Sequence, residues 1–255
     1  MLATQRQRLI VELVQKNGSV RVSELVERFD VSDMTIRRDL EVLAGRELLV
    51  KVHGGATALG VSAVDEPGFT AKLVVQQEEK EAIASRAAEL VEPGSAIAIS
   101  AGTTTWTLAR HLTSVPNLTV VTNSLQVADV FHAEGRQDQT VVVTGGVRTP
   151  SDALVGPVAV AAIRSLHVDV LLLGVHGVST RAGFTTPNLL EVETDRALVA
   201  AARRVVVLAD HTKWELVGIS TIAELSEADV LVSDAGLDEN ARSVLAEHVG
   251  ELIIA

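Results

Sequence analysis

The sequence contains no cysteine, and aromatic residues make up only 2% of its 255 residues. Without cysteine the chain can form no disulfide, no zinc–thiolate site and no thiol nucleophile, and its composition is compatible with a reducing cytoplasm. Because 47% of the residues are nonetheless hydrophobic, the cores must consist of Ala, Val, Leu and Ile. The length predicts one small domain and one larger domain.

A long apolar run is also missing from the sequence. The N-terminal segment, MLATQRQRLI, lacks the apolar core of a signal peptide and carries charge from Arg6 onward. The longest uncharged stretches, such as residues 93–109, are interrupted by Gly, Ser and Thr, so none predicts a membrane span. We therefore expect a cytoplasmic protein with no membrane partner.

Several motifs of catalysis and cofactor binding are absent as well. No Gly-x-x-x-x-Gly-Lys, Gly-x-Gly-x-x-Gly or Gly-x-Ser-x-Gly pattern occurs, which argues against a Walker loop, a dinucleotide fold and a serine hydrolase. The histidines show neither i,i+4 pairing nor a His-x-His pattern, so no metal site is predicted. We expect no cofactor, no metal ion and no catalytic residues.

The formal net charge of −11 is unevenly divided along the chain. Residues 1–57 carry nine Lys and Arg against eight Asp and Glu, for a net charge of +1. Residues 58–255 carry thirteen against twenty-five, for a net charge of −12. The acidity therefore belongs to the larger domain. A near-neutral N-terminal module can still offer a basic face to nucleic acid, with modest non-specific affinity.

The stretch VSDMTIRRDLEVL, residues 31–43, predicts a helix with two unlike faces. Ser32 occupies the N-cap position. Ile36, Leu40 and Leu43 recur on one stripe of that helix. The opposite face carries Met34, Arg37, Arg38 and Glu41, with Thr35 at its edge.

A helix predicted over residues 24–29, beginning after Ser23, precedes this one across a turn of three residues. That arrangement is typical of a helix-turn-helix whose second helix reads DNA. The alternative is an amphipathic helix in any small bundle, with Arg37 and Arg38 merely solvated.

The flanking elements favour a winged helix. Residues 5–17 predict a helix with one apolar stripe, and residues 20–22 predict a short extended segment. Residues 48–52 predict a strand that leads into the turn His53-Gly54-Gly55. Three helices followed by a hairpin place Lys51 and His53 where a wing touches phosphate or the minor groove. The predicted DNA contacts are Ser32, Met34, Thr35, Arg37, Arg38, Lys51, His53 and Gly54.

After residue 57 the composition changes twice. Residues 58–68 mix Gly, Ser, Pro and acidic residues without periodicity, which predicts a linker between a DNA-binding domain over residues 1–57 and a larger domain over residues 69–255.

The larger domain opens with helices predicted over residues 69–77 and 78–91. Apolar strands then alternate with helices, which predicts an α/β domain with a largely parallel sheet. The predicted strands are 95–100, 119–122, 140–144, 168–174, 205–209, 230–233 and 251–254. The predicted helices are 104–112, 125–131, 157–165, 189–202 and 238–248.

Ligands of such sheets bind beyond the carboxyl ends of the strands. Five predicted strand ends are followed by small residues, hydroxyls, an amide and two cations, within segments 101–105, 123–124, 145–148, 174–177 and 210–213. Gly102–Thr105 stands at a strand-to-helix junction, where backbone N–H groups and the helix N-terminus can cradle a phosphate. The alternative is an ordinary capped helix start, with Arg148 and Lys213 as surface cations.

Two parts of the sequence resemble a known family. The run SELVERFDVSDMTIRRDLEVLAGRELLVKVHGGA, within a match over residues 5–57, resembles the N-terminal module of the DeoR family of bacterial sugar-responsive transcriptional repressors. Residues 69–255 resemble the sensor domain of the same family. The matching pieces are Glu79-Lys80, Gly102-Thr103-Thr104, Val121-Thr122-Asn123, Gly145-Gly146, Asn188 with Glu191, and Asp210 through Trp214.

This resemblance implies a sensor fold similar to ribose-5-phosphate isomerase and the CoA-transferases, and a phosphorylated sugar as effector. Ser100 stands where the family usually has an aspartate, so the sugar preference of this chain can differ. The predicted effector site comprises Ser100, Gly102, Thr103, Thr104, Thr105, Asn123, Gly145, Gly146, Arg148, His176, Glu191 and Lys213.

Two other classes of function compete with a regulator. A sugar-phosphate isomerase with an accessory DNA-binding module could use Glu191, Asp210 and Lys213 for proton transfer and enediolate stabilisation. A purely oligomerising scaffold would not explain the polar residues at the strand ends. We expect a repressor that binds double-stranded operator DNA, releases it on binding a phosphorylated sugar, and forms a homo-oligomer, a dimer or a tetramer.

Overall fold

The computed structural model describes residues 3–17, 19–46, 48–52, 54–58, 68–149 and 151–255. It divides the chain into two compact units, Met1–Asp65 and Glu66–Ala255. The predicted fold class, an N-terminal helix-turn-helix joined to a larger α/β domain, is confirmed. Most of the predicted linker lies outside the described residues.

The described residues of the N-terminal unit form three helices and three strands. The helices are α1 (Ala3–Asn17), α2 (Val22–Phe29) and α3 (Asp33–Gly45). The strands are β1 (Ser19–Arg21), β2 (Leu49–Val52) and β3 (Gly55–Ala58), and they form an antiparallel sheet in the order β1-β3-β2. All three helices contribute to one core, which includes Ile10, Leu25 and Leu40.

The prediction placed the start of α2 too late. The helix begins at Val22, which was predicted to be extended, and its N-cap is Arg21 instead of Ser23. The physical reason is a cap supplied from inside the helix, since the Glu24 carboxylate accepts the backbone N–H of Arg21 at 3.2 Å.

The larger unit is a three-layer α/β/α arrangement around a seven-stranded sheet. The strands of this sheet are β4 (Ala96–Ile99), β5 (Thr119–Thr122), β6 (Thr140–Val143), β9 (Val168–Gly174), β12 (Ala202–Leu208), β14 (Val230–Ser233) and β15 (Leu252–Ile254). The helices are α4 (Phe69–Leu73), α5 (Gln77–Ala88), α6 (Thr103–Leu112), α7 (Leu125–Glu134), α8 (Pro157–Arg164), α9 (Leu189–Ala201) and α10 (Glu239–Ala246).

Every pairing in this sheet is parallel, and the strand order is β15-β14-β12-β9-β4-β5-β6. Alternate residues of each strand face opposite layers, as Ile97 and Ile99 do towards α5, α6 and α7, and Ala98 does towards α8, α9 and α10. From β4 the chain proceeds in one direction through β5 and β6, and then returns to the other side of β4 with β9. The carboxyl ends of β4 and β9 therefore flank a topological switch point, where ligands of open α/β sheets bind.

Some elements of this unit were not predicted. Strands β10 (Gly177–Ser179), β11 (Gly183–Thr186) and β13 (Ser220–Ala223) form a small antiparallel sheet, and β7 (Val147–Arg148) pairs with β8 (Leu154–Val155). These segments are too short for their alternation to stand out. The helix predicted over residues 69–77 ends at Leu73, because Gln76 adopts a left-handed conformation with a φ of 52° and starts α5.

Candidate DNA interface and effector site

The second helix of the helix-turn-helix, α3, begins as predicted. The Ser32 hydroxyl accepts the backbone N–H of Thr35 at 3.3 Å and also lies 2.8 Å from the Thr35 hydroxyl. This N-cap satisfies a first-turn donor that would otherwise be unpaired. Both predicted contact residues therefore take part in the cap that starts the helix.

The two faces of α3 are divided as the periodicity predicts. Ile36 and Leu40 are fully buried. Met34 is 76% exposed, and Arg37 and Arg38 are also exposed. The exposed face of α3 therefore presents one apolar and two cationic side chains to solvent.

Acidic side chains lie against two of the cations of this face. Arg37 Nε donates to Asp33 Oδ1 at 2.5 Å, one turn earlier on α3. Lys51 Nζ on the wing strand β2 donates to Glu41 Oε1 at 2.6 Å, and this bond holds the pKa of Glu41 below its usual value. In the described part of the chain, Arg38 makes no ion pair. Arg38 is thus the arginine of this pair that can meet a phosphate or a base without first leaving an acidic partner.

A buried ion pair fixes α3 to α1. Asp39, on the inner side of α3, accepts Arg6 Nε at 2.5 Å and Gln7 Nε2 at 2.8 Å. Asp39 and Arg6 are 4% and 6% exposed. The sequence reasoning did not single out this pair. The sequence nevertheless indicated that Asp39 is buried, because it stands three residues after Ile36 and four before Leu43, in phase with the buried stripe of α3.

The wing is the predicted hairpin of β2 and β3. Gly54 adopts a φ of 80° and accepts the backbone N–H of Val22 at 2.8 Å. A side chain on Gly55 would place its Cβ 2.2 Å from the Val20 carbonyl oxygen, so only glycine fits there. The predicted DNA contact His53 lies outside the described residues.

In the larger unit, hydrogen bonds join the strand ends at the switch point. Ser100 Oγ, after β4, accepts the backbone N–H of Gly174 at the end of β9 at 2.9 Å. Asn123 Oδ1, after β5, accepts the backbone N–H of Ala101 at 2.9 Å. Ser100 and Asn123 are each 1% exposed. Ser100 therefore ties two neighbouring strand ends together.

The first turn of α6 has the features of an anion cradle. Its N-cap is Gly102, with a φ of 151° and no side chain to cap the helix. A Cβ at Gly102 would lie 3.1 Å from Thr105 Oγ1, and that hydroxyl donates to the Gly102 carbonyl at 3.0 Å. The backbone N–H groups of Thr103 and Thr104 thus start a ten-residue helix without a capping side chain. Such groups favour an anion.

Lys80, which the resemblance covered but the predicted effector site did not include, lies at the same edge of the sheet. Lys80, in the first turn of α5, is 5% exposed and donates to the carbonyl oxygens of Lys72 and Val75, both at 2.5 Å. Burial lowers the pKa of Lys80 to about 8, while nearby Asp210 raises that pKa and nearby Lys213 lowers it. Lys80 and Lys213 therefore bring two cationic groups within electrostatic range of each other.

The signal for Lys80 was present in the sequence. It stands three, four and seven residues before buried Ile83, Ala84 and Ala87, in phase with the apolar stripe of α5. Its electrostatic neighbour Asp210 is 2% exposed and accepts the backbone N–H of Thr212 at 3.0 Å. Lys213 itself ends a 3-10 turn over His211–Lys213, directly after β12.

Glu191, on α9, is held by three hydroxyl groups. Thr149 and Thr186 donate to its carboxylate at 3.1 Å and 3.0 Å, and Ser151 makes a third, short bond. None of these three donors was predicted. Only the fold brings Thr149 and Ser151 to α9, whereas Thr186 lies five residues before Glu191. A carboxylate so engaged is suited to orienting polar groups and is a poor candidate for the free base of an isomerase.

The remaining predicted effector residues lie at the same strand ends with neighbours of their own. Arg148 is exposed and bonds Asp152 at 2.7 Å. Gly146 approaches the β8 backbone so closely that a Cβ would lie 2.6 Å from the Val155 carbonyl oxygen, and Gly145 has a φ of 73°. His176 is half-buried and its backbone N–H donates to the Thr185 carbonyl at 3.0 Å.

The described residues contain no helix long and apolar enough to cross a bilayer. They also contain no cluster of three or more His, Asp or Glu side chains arranged to hold a metal ion.

Comparison with known proteins places both units of the chain in one family. The profile of the DeoR-like helix-turn-helix domain matches residues 6–60, and the profile of the DeoR C terminal sensor domain matches residues 75–235. The chain is 37% identical over 256 residues to the uncharacterized HTH-type transcriptional regulator YgbI of Escherichia coli K12, covering 100% of this chain and 99% of that one. It is 35% identical over 249 residues to the glycerol-3-phosphate regulon repressor of the same strain, covering 97% of each chain.

Solved structures of a different kind are also similar to the chain. One is a D-ribose-5-phosphate isomerase in complex with phospho-erythronic acid, at 16% identity and a TM-score of 0.41 over 54% of each chain. The full-length relatives, in contrast, are named as regulators and repressors, in agreement with the expectation that this chain is not an enzyme.

Proposed function

The chain belongs to the DeoR family of transcriptional regulators, and from that premise we propose that it represses a sugar-catabolic operon until a phosphorylated sugar binds its larger unit. The winged helix binds double-stranded operator DNA through α3 and the β2–β3 wing. The phosphorylated sugar binds at the switch point of the parallel sheet. The protein acts in the cytoplasm, where it meets the operator DNA.

The observation that carries this proposal is the pairing of the uncapped N-terminus of α6 with lysines at the same edge of the sheet. Helix N-terminal N–H groups bind phosphate oxygens, and lysine ammonium groups add charge-assisted bonds. Lys80 and Lys213 supply those ammonium groups, while Asn123 and Glu191 offer polar atoms that suit sugar hydroxyls. Arg148 and His176 complete the proposed site.

The effector controls DNA binding only if it favours one arrangement of the protein over another. We therefore expect the phosphate to be the main determinant of affinity and the unphosphorylated sugar to bind far more weakly. The oligomer, a dimer or a tetramer, supplies the two winged helices that an operator with two half-sites requires.

The test begins with DNA fragments selected by the wild-type protein from a random library. Thr104→Glu fills the cradle and repels an anion without touching the winged helix, so this variant should bind the selected DNA normally. It should fail to release that DNA at concentrations of sugar phosphate that release the wild type. The panel of sugar phosphates should include glycerol 3-phosphate, which the name of one relative suggests.

Thr119→Glu is the matched control, because Thr119 is exposed at the start of β5, away from the carboxyl ends of the strands. It should release DNA like the wild type. If Thr104→Glu also releases DNA at the wild-type concentration, the effector site lies elsewhere.

A further inference from the structure

The outer strand of the seven-stranded sheet, β6, has one side with unused hydrogen-bonding groups. The backbone N–H groups of Thr140 and Thr144 donate to Leu118 and Thr122 on the β5 side, at 2.9 Å and 3.1 Å. Because N–H groups alternate in direction along a strand, those of Val141 and Val143 face away from β5. Within the described ranges, β6 pairs with β5 alone.

Three features that often protect a sheet edge from association, namely charge, proline and a bulge, are missing from β6 itself. The sequence from 140 to 144 reads TVVVT, without charge or proline, and its register with β5 contains no bulge. Monomeric proteins protect such edges with lysine, proline, bulges or a covering segment. A uniform run of β-branched residues is suited to pairing with another strand.

Exposed valines extend this edge into a larger apolar surface. Val142 on β6 is 36% exposed, and Val147 and Val158 are each 65% exposed. Val143, the next residue of β6, projects from the opposite face of the sheet and contributes only its backbone to this edge. Val158 lies beside the chain that leaves β6, since its Cγ1 would be 3.5 Å from a Cβ on Gly145. We call Val142, Val147 and Val158, together with the outer side of β6, the β6 face.

The charge of the β6 face indicates which partner can cover it. Residues 136–158 contain two arginines and two acidic residues, and these pair with each other as Arg136–Asp138 at 2.6 Å and Arg148–Asp152 at 2.7 Å. The segment is therefore neutral, whereas residues 58–255 as a whole carry a net charge of −12. Two copies of so acidic a domain repel each other over most of their surfaces but can approach at this neutral face.

We propose that the β6 face joins two copies of this chain about a twofold axis, with the two β6 strands pairing antiparallel. A twofold interface uses the same patch on both partners, and an antiparallel pair of identical strands meets that requirement. The pairing satisfies the outward groups of Val141 and Val143 and continues one sheet into the next. Its functional use rests on the proposed repressor role, since two winged helices are then held together for two half-sites.

Two variants attack the pairing by different means. Val143→Pro removes an outward-facing N–H while leaving the bonds to β5, and proline is tolerated at such an edge position. Val142→Lys places a charge on the apolar surface. Val74→Lys is the matched control, because Val74 is 70% exposed and lies outside the β6 face. Sedimentation velocity at micromolar concentration measures the mass of each protein.

The wild type and Val74→Lys should form dimers, or tetramers built from them, whereas Val143→Pro and Val142→Lys should show a twofold loss of mass with unchanged circular dichroism. Hydrogen exchange on the wild type gives a second readout that needs no variant. The amides of Val141 and Val143 should be protected at high protein concentration and lose protection on dilution. A monomeric wild type, variants of unchanged mass, or protection that is independent of concentration would overturn the proposal.

These measurements use no DNA and no effector, so they separate the interface from the proposed function. A dimer that the two variants dissociate, but that ignores every sugar phosphate, supports the interface and contradicts the repressor mechanism.

Discussion

The two units of this chain present their functional groups in opposite ways. On the winged helix, Met34, Arg37 and Arg38 extend into water from a helix whose other side is buried. In the larger unit, Ser100, Asn123 and Lys80 are each at most 5% exposed and are bonded to neighbouring backbone. Exposed side chains can read DNA directly from the protein surface, whereas a small anion requires a site whose groups the fold has already positioned.

This difference predicts how substitutions behave in each unit. Changes on the exposed face of α3 should alter binding and leave stability intact. Changes among the buried groups should alter both. The Arg6–Asp39 ion pair under α3 is an exception within the winged helix, because its charged groups are buried like those of the larger unit. Substitution of Asp39 should therefore give the largest effect.

Asp39→Ala should abolish DNA binding although the carboxylate points away from the DNA face. Removing one partner of a buried ion pair leaves Arg6 buried without compensation, which costs about 3–5 kcal/mol. Urea unfolding should show a destabilised winged helix and an unchanged transition of the larger unit. Arg8→Ala, which removes an exposed cation from the same α1 helix, is the control and should leave both transitions in place. Full DNA affinity in Asp39→Ala would show that the pair does not hold α3.

Periodicity predicted the winged helix almost completely, because the buried stripe of α3 and the glycines of the wing are local signals. The seven parallel strands were also predicted, since each is a short apolar run between helical patterns. The order of those strands and the meeting of Glu191 with Thr149 and Ser151 could not be predicted, because they depend on segments distant in sequence. Lys80 is an intermediate case between these two. Its position in the helical repeat of α5 predicts that it is buried, but only the fold brings it near Asp210 and Lys213.

The double substitution Arg37→Ala with Arg38→Ala should lower affinity for the selected DNA on the order of 100-fold or more, because in the proposed interface each arginine would make charge-assisted contacts to bases or phosphates. Thermal unfolding should be unchanged, since both side chains are exposed. Fluorescence anisotropy over a range of salt concentrations measures the loss. A double variant with wild-type affinity would remove α3 from the interface.

Raising the pH from 7 to 9 should weaken binding of a sugar phosphate roughly tenfold, because Lys80 has a pKa of about 8 and loses its charge over this range. The phosphate stays dianionic throughout, so the change reports the lysine. Calorimetric titration of the wild type and Lys80→Met measures it, and the variant should bind weakly with no such pH dependence. An affinity that is the same at pH 7 and pH 9 in the wild type would exclude Lys80 from the site.

The lowered pKa of Lys80 also predicts the direction in which the free energy of unfolding changes with pH. Its folded pKa lies below the ordinary value near 10.4, so the unfolded chain binds more protons between about pH 8 and that value. The contribution of Lys80 to the free energy of unfolding should therefore rise with pH across this window. Comparing urea unfolding of the wild type and Lys80→Met at each pH isolates this contribution.

Asp33→Asn should give the smallest effect, a gain of a few-fold in DNA affinity. The change frees Arg37 from its ion pair and removes a negative charge from the DNA face. Glu12→Gln breaks another exposed ion pair, that of Glu12 with Arg8 on α1, and should leave affinity unchanged. Equal gains in both variants would mean that overall charge, and not the freed arginine, is responsible.

The separation of an exposed DNA surface from a buried anion site is tested most directly by one titration. Wild-type protein bound to its selected DNA is titrated with pairs of phosphorylated and unphosphorylated sugars, while anisotropy reports release. Release by a phosphorylated member alone is the predicted result. Equal release by both members of a pair, or no release by any phosphorylated compound, would contradict it.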